Sequence, residues 1–172
     1  MMKKMTSATA NKMIKKLNED KEYWRRREQE SYLYVAALDE EPVIPEYDYS
    51  EVAAEIAAID DKIAKLKHAI NLTNATNVIM IAGEELTIDT ILVKMAQMNR
   101  RKEILDVMRK QQPKVRISSG YYNPKKAAPE YQYINYDLDL IKAEYEKVDA
   151  LISEYQINLD KYNQTVEFEV EL

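Results

Sequence analysis

A chain of 172 residues with two glycines, five prolines and 32% charged residues has the composition of long solvated helices rather than of a sheet-rich domain. Its net charge of −5 and pI near 5.1 offer little general attraction for nucleic acid. The absence of cysteine excludes disulfides, thiolate nucleophiles and Cys-based zinc sites. No stretch approaches the ~18 uninterrupted apolar residues of a membrane span. Residues 6–16 hold no apolar run of signal-peptide length, so the reading places the protein in the cytoplasm as one elongated helical domain over 1–172.

In chain order, a first helix is expected over about 6–38, with Ala10, Met13, Leu17, Trp24 and Leu38 as a sparse inner edge. Glu41-Pro42 and Ile44-Pro45 then stop it, because proline restricts the residue before it and donates no backbone hydrogen bond. A second helix, 49–73, starts behind Asp48 or Ser50 as cap and carries Val52, Ile56, Ile59, Ile63, Leu66, Ile70 and Thr73. This unbroken alternation of fours and threes keeps a narrow stripe against one long partner helix, as in a coiled coil. Residues 77–81 read as a strand, Gly83 as a turn and Thr87 as the cap of a third helix, 87–111, with Ile88, Ile91, Leu92, Met95, Met98 and Leu105 inward. Two short strands follow, 114–117 and 131–134. The fourth helix, 137–163, carries a second seam of Leu138, Ile141, Tyr145, Val148, Ile152, Tyr155, Leu159 and Tyr162. The tail 166–172 alternates apolar and acidic residues with period two, the pattern of a strand. Its acidic face is expected to meet Lys114 and Arg116, or the same strand of a neighbouring subunit.

Three constellations carry whatever chemistry the chain has. Residues 100–126 hold nine Lys or Arg, against Glu103 and Asp106. Arg100, Arg101, Arg109, Lys110, Lys114 and Arg116 form the candidate basic patch for phosphate or nucleic acid, beside Tyr121 and Tyr122. Internal pairing with the acidic tail is the favoured reading. Tyrosine is abundant, thirteen in all, and such density marks interfaces more often than catalysis. The candidate interface is Tyr121, Tyr122, Tyr131, Tyr133, Tyr145, Tyr155, Tyr162, Val166, Phe168 and Val170. The polar run Asn71, Thr73, Asn74, Thr76 and Asn77, joined to Gly83-Glu84-Glu85, is a possible ligand corner, although Asn and Thr at a helix end ordinarily satisfy backbone groups. His68, the single histidine, lies off the seam with no nucleophile or carboxylate placed beside it by spacing. Asp60-Asp61 and Glu84-Glu85 lack the alternating oxygen ligands of a calcium loop. No catalytic residue, cofactor or metal is expected.

The block Ile70-Asn71-Leu72-Thr73-Asn74-Ala75-Thr76, then Gly83-Glu84-Glu85-Leu86-Thr87, a helix, Tyr133-Ile134 and a closing helix from Leu138 to Ile152 resembles the septicolysin-like family of small bacterial proteins over roughly residues 50–155. The resemblance implies helical hairpins that assemble into oligomers. Its name suggests a haemolysin, and it brings no catalytic residues. The long first helix, the tyrosine-rich insertion around 120–129 and the acidic tail depart from that pattern.

Together these readings predict a mainly α protein, antiparallel helical hairpins in a coiled-coil bundle with a small β element. They predict a non-enzymatic homo-oligomer with a structural or interaction role, with another protein as a further possible partner. A haemolysin-like membrane-surface activity and phosphate or nucleic-acid binding through 100–126 are the alternatives.

Overall fold

The computed structural model describes residues 1–117 and 130–172, so Tyr121 and Tyr122 lie outside the described residues. The chain is mainly helical, with small antiparallel sheets. It divides into two compact units, residues 1–77 with 159–172 and residues 78–158, and helix α4 (Leu138–Thr165) contributes to both.

The first unit opens with strand β1 (Met2–Thr6) and helix α1 (Ser7–Ser31), capped by the Thr6 hydroxyl, which accepts from the Thr9 N–H at 3.2 Å. Helix α1 stops at Ser31 and not near Leu38, which is fully exposed. Tyr32, Tyr34 and Val35 are middling helix formers, but Leu33, Ala36, Ala37 and Leu38 are among the best, so propensity alone does not end the helix. The last turn carries Glu28 and Glu30 and no cation, the wrong sign for the negative end of the helix dipole. A connector then leads to α2 (Tyr49–Thr76), where the Asp48 carboxylate accepts from the Ser50 and Glu51 N–H groups at 2.7 and 3.3 Å. The Tyr47 hydroxyl donates to Glu28 at 3.2 Å and ties the end of the connector to α1.

Ala10, Ile14 and Leu17 of α1 pack with Ile59, Ile63 and Leu66 of α2, and Met5, Phe168 and Val170 close one end. Lys21 reaches Asp60 at 2.7 Å across the two helices. The α2 seam is the buried face: Val52, Ile59, Ile63, Leu66 and Thr73 are buried, and Ile56 and Ile70 half-buried.

The tail forms β6 (Glu167–Glu171), and its partner is β1, not Lys114–Ile117. In this antiparallel register Met5 faces Phe168 and Lys3 faces Val170 on the inner side, while Lys4 faces Glu169 and bonds Glu167 at 3.0 Å on the outer side. The acidic face does select a basic partner. That partner is Lys4.

In the second unit, β2 (Val78–Ile81) and β3 (Glu84–Thr87) form a hairpin in which Ile81 pairs with Glu84. A two-residue loop in a type I′ turn needs positive φ at both positions, and this one has it. Ala82 has φ 50° and Gly83 φ 82°. Helix α3 (Ile88–Arg109) follows directly, with Thr87 at the cap position. The Thr87 hydroxyl caps no backbone group and turns instead to the Asp89 carboxylate and the Thr90 hydroxyl. Strands β4 (Lys114–Arg116) and β5 (Tyr131–Tyr133) pair with each other, so Lys114 faces Tyr133 and Arg116 faces Tyr131. Asp137 then caps α4, accepting from the Asp139 and Leu140 N–H groups at 2.9 and 3.2 Å. Ile81, Ile88, Ile91, Met95, Leu105, Ile141 and Tyr155 supply the unit's buried side chains. Leu92, expected inward, is 44% exposed because it lies off the face that Ile88, Ile91 and Met95 share.

Candidate functional site

The α3 inner face continues the alternation of threes and fours through 88, 91, 95, 98, 102, 105 and 109, which puts Lys102 and Arg109 where a seam would hold apolar residues. Each finds a partner on α4. Lys102 forms an ion pair with Asp149, and its ammonium stands 5.7 Å from the centre of the Tyr145 ring. The Arg109 guanidinium lies over the same ring at 3.9 Å, within cation–π range. Asp106 gathers Arg109 and Lys110, accepting from the Arg109 Nη2 at 2.7 Å. The Tyr136 hydroxyl donates to the Met108 carbonyl at 2.7 Å. The charges perturb one another accordingly. The Lys110 and Arg109 hydrogen bonds hold the Asp106 carboxyl below its ordinary value, and the Asp149 hydrogen bond raises Lys102. The hydrogen bond to Asp106 raises Arg109.

This cluster unites two candidate sets, since Arg109 belongs to the basic patch and Tyr145 to the interface. Lys110, the residue that follows α3, joins it through Asp106. The other members scatter. Arg100 and Arg101 are exposed on α3, and Arg116 is exposed on β4. Lys114 stacks on its own strand pair, 4.2 Å from the Tyr131 ring and 5.5 Å from Tyr133. Tyr131 and Tyr133 are exposed, and Tyr145 and Val166 are half-buried. Tyr155, Tyr162, Phe168 and Val170 are buried inside the chain, which corrects their assignment to an outer interface. The Tyr162 hydroxyl accepts from the Asn77 side chain at 2.9 Å and lies 3.5 Å from the Thr73 carbonyl, within the first unit.

The polar run at the end of α2 mostly satisfies itself. Thr73 and Thr76 donate to the Ala69 and Leu72 carbonyls at 2.8 Å each. The Asn74 Oδ1 is shielded without a partner. His68 is exposed and lines an open groove of about 480 Å³ with Lys65, Leu72 and Thr76 of α2 and Glu167–Glu171 of β6. Lys65 is engaged by Asp61 at 2.8 Å. Among the described residues no group of three or more His, Cys, Asp or Glu stands ready for a metal ion, and no helix is long and apolar enough to cross a membrane.

Two apolar surfaces are unusual. Every residue from 32 to 44 of the connector is exposed, including Tyr32, Leu33 and Tyr34, with Val35 at 97% and Val43 at 90%. The connector also holds Asp39, Glu40, Glu41, Glu46 and Asp48 and no Lys or Arg. On α3, Val93, Arg100, Ile104 and Val107 recur at intervals of seven, four and three and so share one face, opposite the Ile88–Met95–Leu105 face. Val93, Ile104 and Val107 are each more than half exposed. The same spacing that marks the inward residues, started from Val93 instead of Ile88, marks this second stripe in the sequence.

No family model matches the chain, and no curated protein matches it. Among solved structures, the chain is similar to a functionally unknown conserved protein from Corynebacterium diphtheriae, with a TM-score of 0.66, 11% identity, and coverage of 96% of this chain and 99% of that one. At that identity the likeness concerns the fold alone.

Proposed function

We propose that this chain is a non-enzymatic interaction protein that assembles with copies of itself, built on two antiparallel helical hairpins. The observation that carries this reading is the apolar side chains left exposed on the α1–α2 connector and on the outer face of α3. Scattered exposed apolar residues are ordinary, but contiguous ones mark association surfaces. A connector longer than ~12–15 residues without regular structure is uncommon in a compact domain and is usually either functional or a plain linker; its exposed apolar side chains favour the first. The charged cluster between α3 and α4 supports the same reading, because Lys102, Asp106, Arg109 and Asp149 bind one another instead of converging on a reacting atom. The engagement of Arg109, Lys110 and Lys114 within the chain likewise favours it over a phosphate-binding role for the basic stretch. The septicolysin-like resemblance, which implies oligomers, points the same way.

Light scattering coupled to size exclusion over a wide range of protein concentration tests the proposal. A mass of at least twice the 20.1 kDa chain is expected. A mass of one chain throughout that range overturns it.

A further inference from the structure

Resting on that reading, we propose that copies join edge to edge: strand β6 of one copy pairs with strand β4 of the next in a sheet shared between them. Within the chain β6 has β1 beside it and β4 has β5, so among the described residues each keeps a second edge without a strand partner. Such an edge presents a row of backbone N–H and C=O groups to any strand that can pair with them. Antiparallel pairing decides which groups those are. Met1 and Leu172 exchange backbone hydrogen bonds at 2.9 and 3.2 Å, so Val170 and Phe168 bond to β1 in alternation, and Glu169 and Glu171 aim their backbone groups outward. On the other hairpin the Ile117 N–H donates to the Glu130 carbonyl at 2.9 Å and the Ile134 N–H to the Pro113 carbonyl at 3.3 Å. The same alternation turns the backbone groups of Lys114 and Arg116 outward.

The two edges therefore meet charge to charge. With Glu169 opposite Arg116, antiparallel register sets Glu171 opposite Lys114, Val170 opposite Val115 and Phe168 opposite Ile117. Among the described residues no ion pair holds these four charged side chains, whereas Lys4 holds Glu167 at 3.0 Å, which favours this register over one that would need Glu167. The local charges agree. The groove beside β6 carries Glu167, Glu169 and Glu171 against His68 and a Lys65 already bonded to Asp61 at 2.8 Å. Strands β4 and β5 carry Lys114 and Arg116 and no acid, with Glu130 just outside them. Pairing β6 with β6 would set carboxylate against carboxylate, and β4 with β4 cation against cation. There is also room. The groove is lined by α2 and β6 and by no residue of β1, so it follows the outward edge of β6 and offers the exposed Leu72 to Val115 and Ile117, which are exposed in a single copy. Because the contact uses different patches on the two copies, it propagates until a ring closes or a filament results.

The test uses full-length charge reversals, Glu169→Lys with Glu171→Lys on β6 and Lys114→Glu with Arg116→Glu on β4. All four positions are exposed, so thermal melts close to wild type are expected. Light scattering is expected to give an assembly for wild type and the mass of one chain for each reversal alone. An equimolar mixture should regain the assembly, because each reversed edge finds its reversed partner on the other variant. Arg116→Pro separates strand pairing from plain attraction of charges, since it removes an N–H that points away from β5. It too should stay at one chain; if it melts early, the reversals and their mixture decide alone. A wild-type protein that assembles while either reversal keeps the full mass overturns the strand contact and leaves self-assembly standing. A mixture that stays at one chain does the same, as does a folded Arg116→Pro protein that still assembles. A wild-type protein that never exceeds one chain overturns both.

Discussion

Helix α1 meets α2 through Ala10, Ile14, Leu17, Ile59, Ile63 and Leu66, whereas α3 and α4 hold each other partly through Lys102, Arg109, Tyr145 and Asp149. Both pairs follow the same spacing of threes and fours. In the first pair the small Ala10, with no accessible surface, opposes branched side chains and lets the helices meet through dry contacts. In the second, long cations and a tyrosine ring fill the seam, so the joint is made of directional, partly wet interactions. The spacing therefore fixes which face turns inward, and the residue type fixes how that face responds to volume, charge and pH.

The largest expected effect breaks the dry pair. Ile63→Asp puts an unpaired charge among Ile59, Leu66 and the α1 side chains, at a cost of about 3–5 kcal/mol. Ile152→Asp is expected to cost much less, although the position has the same seam spacing. Ile152 is half-buried and borders an open groove that Lys102 also lines, so a carboxylate there stays near water and a cation. Urea unfolding of the two variants checks the difference. Equal losses would show the second seam to be as dry as the first.

A smaller effect belongs to the β2–β3 turn. Gly83 has φ 82° and open space around its missing Cβ, so Gly83→Val is opposed by conformation alone, at about 1–2 kcal/mol or somewhat more for a β-branched residue. Ala82 sits at φ 50° and already carries that strain, so Ala82→Gly is expected to stabilise by up to about 1 kcal/mol. The Ala82 N–H donates to Glu154 of α4 at 3.2 Å, which helps hold the turn in place. A destabilised Ala82→Gly protein would contradict the strained-turn assignment.

Local rules made much of this legible. The α2 seam, the Asp48 cap, the Gly83 turn and the strand at the tail all rest on residues close in sequence, where period, capping and turn chemistry act directly. What spacing could not reveal was pairing at long range. The tail strand carried the correct signal for a basic partner, yet Lys114 and Lys4 offer the same charge, and only the closed fold brings Lys4 to Glu167. Tyrosine density failed for a related reason. Tyr155 and Tyr162 have the amphipathic character of interface residues, but a seam position within the chain buries them first. The connector was missed because Leu38 fitted a helical period that an unfavourable final turn does not sustain.

The smallest expected effect separates the two helix pairs by pH. Asp106 is held below its ordinary value, first by the Lys110 hydrogen bond and then by that of Arg109, so the folded state binds its proton less readily than the unfolded chain does. Its contribution to stability is therefore present in full above the ordinary carboxylate range, and is lost as the pH falls through that range to the depressed value. Lys102, raised by Asp149, has the opposite dependence: its contribution is present below the ordinary lysine value and disappears as the pH rises through the raised one. Asp106→Asn should lower the melting temperature slightly near neutrality, because partly exposed ion pairs contribute little. That gap should shrink on acidification and in high salt. Leu66→Ala in the dry pair should lose about 2–5 kcal/mol with little dependence on either. Melting curves of both variants beside wild type, from neutral to acid pH, decide the matter. An Asp106→Asn gap that survives in acid would mean the residue acts through packing, and the contrast between a dry and an ionic helix pair would fail.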